Sequence, residues 1–295
     1  MVDPNTLIGA GLAAIASKDI LIKLLGPSAD YIGGEVKGLV EKCNINIGDI
    51  FIKAYRKLGK RVEEKGAVNP RVLKNIFDEG KFCEDDLSKE YFAGVLASAR
   101  TEDGKDDRGV TNARLISGLS SFQIRTHYIF YSLLRNTFLP YNSVVNPETD
   151  RYMMFIYIPT DLYYSALGLN NDMHPDDKII YLSHSMNGLR RNDLIEDNYT
   201  FGQADFFKQD GIKCRLGTNF PIKEDILCDH GITFQPTPGG MELFLWAHGL
   251  GQYSHFLFLK SELPLQLIEG IELPKTVDIL YKDFIEFRYK SMKKS

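Results

Sequence analysis

Histidine is the side chain most often used for acid–base catalysis and metal binding, and this chain has six histidines. Five of them do not fall at metal-site spacings with cysteines or carboxylates, namely His174, His184, His230, His248 and His255. The sixth, His127, lies beside Tyr128 in a helical pattern, and the sequence identifies no nucleophile or carboxylate partner for it. We therefore assign no catalytic residue and no metal ligand, and interpret His127 as a hydrogen-bonded structural residue.

A glycine-rich stretch near the start matches a dinucleotide-binding fingerprint. Gly9, Gly11 and Ala14 reproduce the pattern G-x-G-x-x-A, and Asp30 lies about where a ribose-binding carboxylate would fall. The eight residues before Gly9 include Pro4, which disfavours the strand that must lead into such a turn. The Walker A, H-E-x-x-H and G-x-S-x-G patterns do not occur in the sequence. We therefore assign no cofactor.

Five basic residues on one side of a predicted helix form the candidate interaction surface. They are Lys53, Arg56, Lys57, Lys60 and Arg61. A basic face of this kind attracts phosphate or an acidic partner. The alternative is a solvated helix surface, because Glu63 and Glu64 offset part of the charge.

The basic face belongs to a long amphipathic helix that we predict over Asp30–Glu64. Apolar residues recur there in steps of three and four, as Ile32, Val36, Leu39, Val40, Cys43, Ile47, Ile50, Phe51, Ala54, Leu58 and Val62. This spacing places them on one stripe of the helix. Three further helical segments, at 69–77, 87–100 and 113–136, are expected to pack against the stripe. Residues 1–140 are therefore predicted to form an all-helical bundle.

Small residues on the helical segment at 87–100 indicate a close helix crossing. Gly94 and Ala97 lie one turn apart and leave room for another helix. We expect a large side chain at Gly94 to overpack this contact and destabilise the fold.

After Pro140 the pattern changes, and we predict an α+β domain over residues 141–295. A buried strand at Tyr152–Ile158 and a helix at Asp176–Leu189 are followed by a short strand at Gly231–Phe234. A helix at Met241–His248 completes a winged-helix-like segment, about 174–250, and a C-terminal helix is predicted over Val277–Met292. The fold class is α+β, predominantly α, with the helical bundle first and this smaller domain second.

The composition is that of a globular protein, with 44% hydrophobic and 25% charged residues. The net charge of −4 disfavours a general nucleic-acid binder. The apolar stretch Leu7–Ala16 is about half the ~20 residues that a membrane span needs, and no basic segment precedes it. The four cysteines contain no C-x-x-C pair. We therefore expect reduced thiols, no membrane span and a cytoplasmic location.

Three stretches together resemble the Abi-alpha (abortive-infection alpha) family of bacterial proteins. They are Leu25-Gly26-Pro27 with Ala29-Asp30, then Asn69-Pro70-Arg71-Val72-Leu73-Lys74, then Glu90-Tyr91-Phe92-Ala93-Gly94-Val95-Leu96-Ala97-Ser98. The likeness covers roughly the first half of the chain, and the segment with Thr237, Pro238 and Gly240 resembles the family's ending more loosely. The resemblance implies a mostly helical protein of bacterial antiviral defence, and it transfers no catalytic residue.

Three functions follow as hypotheses. The first is a non-enzymatic defence-type protein that acts through self-association or a protein partner, so that a homo-oligomer is expected. The second is a winged-helix regulator that binds DNA, although tight binding to duplex DNA is not expected. The third is a hydrolase with a site between the two halves that would use His127, Arg125 and Asp107.

Overall fold

The computed structural model shows a mainly helical protein with small sheets, as the predicted α+β, predominantly α class requires. The structure describes residues 23–26, 45–145, 151, 154–170, 172–203, 205, 207, 212–213, 219–220, 230–274 and 277–278. The chain divides into two compact units, Met1–Ile124 with Leu245–Tyr253, and Arg125–Phe244 with Ser254–Ser295. The predicted domains, 1–140 and 141–295, are a different division of the chain and stay a prediction.

The first unit is built mainly from four described α-helices. They are α1 (Ile45–Leu58), which continues as a 3-10 helix (Gly59–Glu63), α2 (Pro70–Gly80), α3 (Asp86–Ser98) and α4 (Gly109–Gly118). The helix predicted over Asp30–Glu64 is therefore shorter at its end, because the α-helix stops at Leu58 and Gly59 adopts a positive φ of 53° at the start of the 3-10 helix. Residues 30–44 and 7–16 lie outside the described residues. The stripe of α1 is buried as predicted, and the rings of Phe51 and Phe77 meet edge to face with centroids 5.4 Å apart.

Local capping explains where α2 and α3 begin. The Asn69 side chain accepts a hydrogen bond from the backbone N–H of Arg71 at 3.0 Å, and Pro70 occupies the first turn. Asp85 caps α3 by accepting from the backbone N–H of Ser88 at 2.8 Å. Each cap satisfies a backbone donor that has no partner within the helix. Such caps can be predicted from the sequence, because the backbone donor and the side-chain acceptor lie within three residues of each other.

Two further features of the first 140 residues differ from the prediction. Strands β1 (Ala67–Val68) and β2 (Arg100–Thr101) pair antiparallel, so this region is not all-helical. The helix predicted over 113–136 is two helices, α4 and α5 (Ser121–Phe138). The break is a capping box, because Ser120 Oγ accepts from the Gln123 N–H and Gln123 Oε1 accepts from the Ser120 N–H.

The second unit contains a four-stranded antiparallel sheet in the order β4, β7, β3, β8. Its strands are β3 (Ile156–Pro159), β4 (Thr200–Gln203), β7 (His230–Phe234) and β8 (Val277–Asp278), and β5 (Ile212–Lys213) pairs with β6 (Asn219–Phe220) separately. Strand β7 pairs with β3 in the register Ile158↔Ile232. The predicted strand at 231–234 is therefore confirmed within β7, and the strand predicted at 152–158 is confirmed over 156–158, with 154–155 preceding the strand and 152–153 outside the described residues.

The start of the predicted C-terminal helix is wrong. Val277 and Asp278 lie in β8, which pairs with β3 in the register Tyr157↔Val277. Valine favours a pleated strand when a neighbouring strand is available, and this neighbour is about 120 residues away in sequence. Residues 279–292 of that prediction lie outside the described residues.

The helices of the second unit include α5 beyond residue 124, α6 (Thr160–Leu167), α7 (Pro175–Arg191) and α8 (Pro238–Ala247) up to residue 244. Helix α7 confirms the helix predicted at 176–189, with His174 as its cap. Helix α8 begins three residues before the predicted Met241 because the Thr237 hydroxyl accepts the Gly240 N–H at 3.0 Å. Within the core, the rings of Phe130 and Phe234 stack with centroids 3.9 Å apart.

Candidate functional site

The predicted basic face on α1 divides into side chains that turn inward and side chains that stay in solvent. The ammonium groups of Lys53 and Lys57 both contact Glu90 on α3, at 2.9 Å and 2.6 Å. The two lysine side chains are 12% and 13% exposed and the Glu90 side chain 18%. These two lysines therefore join α1 to α3 inside the first unit.

The pKa values of this group follow from burial and charge. Burial opposes the charge of Lys53, but the hydrogen bond and charge of Glu90 outweigh it and raise the pKa of Lys53. Burial lowers the pKa of Lys57 in spite of the charge and hydrogen bond of Glu90. Burial also opposes ionisation of Glu90, yet the two lysines together lower its pKa. Glu90 is therefore held as a carboxylate at neutral pH.

The other three residues of the basic face have different surroundings. Arg56 and Lys60 are exposed. Arg61 is half-buried, and its Nη2 donates a hydrogen bond of 2.7 Å to the carbonyl oxygen of Gly249. The structure therefore leaves Arg56 and Lys60 of the predicted surface exposed to solvent, and places Arg61 beside a cavity.

This cavity, which we call the arginine cavity, has a volume of about 310 Å³ and lies in the first unit. Its lining residues are Leu58, Arg61, Glu64, Lys65, Arg100, Thr101 and Glu102. Three of these are basic and two are acidic, so the lining carries an excess of positive charge.

Arg100 is fixed in the arginine cavity by backbone carbonyl groups. It donates hydrogen bonds to the carbonyl oxygens of Arg61 at 2.9 Å, Glu64 at 2.5 Å and Lys23 at 3.2 Å. Two of these acceptors lie in the last turn of the 3-10 helix and at its C-cap, and the Arg61 carbonyl oxygen also accepts the backbone N–H of Glu64 at 3.2 Å. Sequence reasoning missed Arg100 because the carbonyl groups that it binds lie 36 residues or more away in the chain.

The residues of the hydrolase hypothesis are all engaged in structural bonds. His127 is completely buried, and its Nε2 lies 3.0 Å from the carbonyl oxygen of Gly240. This burial lowers the pKa of His127 to about 3, so the ring is neutral and Nε2–H is the donor. Arg125 Nε donates to the carbonyl oxygen of Ala166 at 2.8 Å. In the first unit, Asp107 forms an exposed ion pair with Arg71 at 2.5 Å.

A second buried ionic contact supports the second unit. Arg151 and Glu196 are both nearly fully buried and form a salt bridge. Arg151 also donates to the carbonyl oxygen of Pro236 at 3.2 Å. Burying two charges is tolerated because each satisfies the other and a backbone acceptor takes a further donor.

Helix α7 carries an apolar pair on its solvent side. Ile179 is 46% exposed and Ile180 is 63% exposed, whereas Leu182, Met186 and Leu189 of the same helix are buried. Ile180 lies outside the three-and-four spacing of the buried residues, whereas Ile179 lies three residues before Leu182 and falls within that spacing, so the sequence signals the exposure of Ile180 alone. We call Ile179 and Ile180 the α7 isoleucine pair.

Metal and membrane signals can be stated for the described part of the chain. Among those residues, no group of three or more His, Cys, Asp or Glu side chains is arranged to hold a metal ion. None of the described helices combines the length and apolar composition of a membrane-spanning segment. Cys83 is a free thiol, and burial raises its pKa to about 11.

In comparisons with known proteins, no family, no curated protein and no solved structure matches this chain. The resemblance to the Abi-alpha family therefore stays a prediction.

Proposed function

We propose that the protein is a non-enzymatic bacterial defence-type protein of the cytoplasm that acts through self-association or partner binding. The observation that supports this proposal is the exposure of the α7 isoleucine pair. Helix α7 opens the winged-helix-like segment, about 174–250, which we propose as the module for protein contact.

Exposed isoleucine is unfavourable in water, by about 25 cal/mol for each Å² of apolar surface that a contact could remove from solvent. Two adjacent isoleucines on one helix are a small apolar surface of the kind that a facing helix or groove covers. Asp176 and Asp177 precede the pair and are exposed. An apolar centre beside charged residues is the usual arrangement of a protein–protein contact.

The charge of the segment also supports protein contact over DNA contact. Residues 174–250 contain eleven acidic residues and seven basic residues. A surface that binds duplex DNA must neutralise phosphates, which an acidic excess opposes.

The test is the mass of the protein in solution. We expect the wild-type protein to show a mass that rises with concentration in light scattering. We expect the paired substitution Ile179→Asp with Ile180→Asp to abolish this rise, because charged side chains cannot be buried at the contact without a partner. The matched control is Ser165→Asp, an exposed position on α6.

A biological arm tests the defence role. Bacteria that express the wild-type protein are expected to lower the plating efficiency of a susceptible phage, and the paired isoleucine substitution is expected to restore it. A constant monomer mass together with full protection by the isoleucine variant would contradict the proposal.

A further inference from the structure

Arg61 and Arg100 place two positive charges in the arginine cavity of the first unit. Within the described part of the chain, neither guanidinium lies within 4.0 Å of a carboxylate oxygen. Burial lowers the pKa of Arg100, and the nearby charge of Arg61 lowers it further, although Glu64 acts in the opposite direction. The cavity therefore holds two partly desolvated like charges close to each other.

The two arginines differ in the donors that they leave open. Arg100 uses Nε, Nη1 and Nη2 on backbone carbonyl groups, so its position is fixed. Arg61 makes one hydrogen bond, to Gly249, and a guanidinium has five N–H donors. Four donors of Arg61 therefore remain for a ligand, next to a second charge that is already in place.

We propose that the arginine cavity binds a phosphorylated polyhydroxy small molecule, with its phosphate on Arg61 and its hydroxyl groups on Glu64 and Glu102. A phosphate monoester carries close to two negative charges, which matches the two guanidinium groups, and its oxygens accept bidentate hydrogen bonds from arginine. Lys65, on the cavity lining, adds a third positive charge and forms an exposed ion pair with Glu102 at 3.8 Å.

The acidic residues of the lining define the remainder of the ligand. Carboxylates repel an anion but accept hydrogen bonds from hydroxyl groups. We therefore expect the phosphate to bind at Arg61 and the hydroxyl groups of the ligand to bind at Glu64 and Glu102. A volume of about 310 Å³ is at the small end of ligand sites, which are about 300–1,000 Å³. Inorganic phosphate would leave most of this volume empty, whereas a monosaccharide phosphate would fill it.

The experiment is calorimetric titration of the full chain with three probes at physiological salt. Glucose 6-phosphate is expected to bind with a dissociation constant below about 1 mM. Inorganic phosphate is expected to bind at least about tenfold more weakly, and glucose without phosphate to show no binding. Failure of all three probes up to about 10 mM would overturn the proposal.

Substitutions locate the binding site. Arg61→Gln is expected to weaken binding of glucose 6-phosphate at least about tenfold. Arg56→Gln, at an exposed arginine of the adjoining helix α1, is the matched control and should leave the affinity unchanged. Equal losses in the two variants would show a general effect of surface charge and would overturn the proposal.

A second variant keeps the test valid if Arg61→Gln does not fold. Lys65→Glu changes a side chain that is 84% exposed, so the fold should persist, and the reversed charge should weaken binding severalfold. Unchanged affinity in a folded Lys65→Glu protein would contradict the assigned site. The arginine cavity lies in the first unit and the α7 isoleucine pair in the second, so this titration stands or fails separately from the mass measurements.

Discussion

At the scale of single residues, Gly94 shows why a small side chain is needed at one point of the first unit. A Cβ atom at this position would lie 1.9 Å from the carbonyl oxygen of Ala247. Ala97, one turn on, lies beside Gly249. The helix contact that the small residues of this segment predict is therefore confirmed.

We expect Gly94→Leu to lower the free energy of unfolding by about 1–3 kcal/mol, because the side chain can enter only by displacing backbone. Urea unfolding followed by circular dichroism measures this change. Gly118→Leu is the control, since nothing lies within 4 Å of a Cβ atom at Gly118. An unfolding midpoint of Gly94→Leu equal to that of wild type would show that the contact is absent in solution.

Also at the residue scale, His127 makes stability depend on pH. Its pKa is about 3 in the folded protein because of burial, against about 6.5 in the unfolded chain. The unfolded state therefore binds more protons between these values, so stability falls as pH drops below about 6.5. At pH 5 this loss amounts to about 2 kcal/mol.

We expect His127→Gln to lose less stability than wild type between pH 7.5 and pH 5, by about 2 kcal/mol. Denaturant unfolding at both pH values gives the comparison, and His184→Gln, an exposed histidine, is the control. If His127→Gln and wild type lost equal stability on acidification, the buried neutral state of His127 would be refuted.

At the scale of elements, Glu90 connects α1 to α3 through two lysines. We expect Glu90→Gln to lower stability at pH 7 by about 1–3 kcal/mol, a value reduced from that of a fully buried pair because solvent still reaches the group. The pKa of Glu90 is lowered in the fold, so its contribution is present above about pH 4.3 and is lost as pH falls through the folded value.

The measurement is the urea midpoint of Glu90→Gln and wild type at pH 7 and pH 3. The difference between the two proteins should be largest at pH 7 and smaller at pH 3, because the contribution of Glu90 is lost as pH falls through its lowered pKa in the fold. Glu79→Gln, an exposed position at the end of α2, is the control. A constant difference between Glu90→Gln and wild type at the two pH values would indicate a packing effect in place of a charge effect.

At the scale of the whole molecule, charge governs which partners can approach. The net charge is −4, and two lysines of the predicted basic face are paired with Glu90 inside the first unit. We expect no tight binding to duplex DNA, because non-specific affinity comes mainly from phosphate neutralisation. A gel shift with random-sequence duplex at low salt tests this, and micromolar binding that weakens steeply with added salt would support the DNA-binding regulator instead.

The sequence by itself determined the features that depend on nearby residues. The caps at Asn69 and Asp85 and the buried stripe of α1 follow from spacings of two to four residues, so they could be read directly. The break between α4 and α5 also depends on nearby residues, namely the capping box of Ser120 and Gln123. The apolar spacing continues across this break, and for that reason the sequence predicted a single helix.

Only the tertiary structure decided the features that join distant segments. Glu90 removes Lys53 and Lys57 from the predicted interaction surface, and Arg100 meets Arg61 in one cavity across 39 residues. Strand β8 likewise forms because β3 offers it an open edge. Helical spacing shows which side chains lie on one face of an element, but burial, charge pairing and strand pairing depend on what the fold brings against that face.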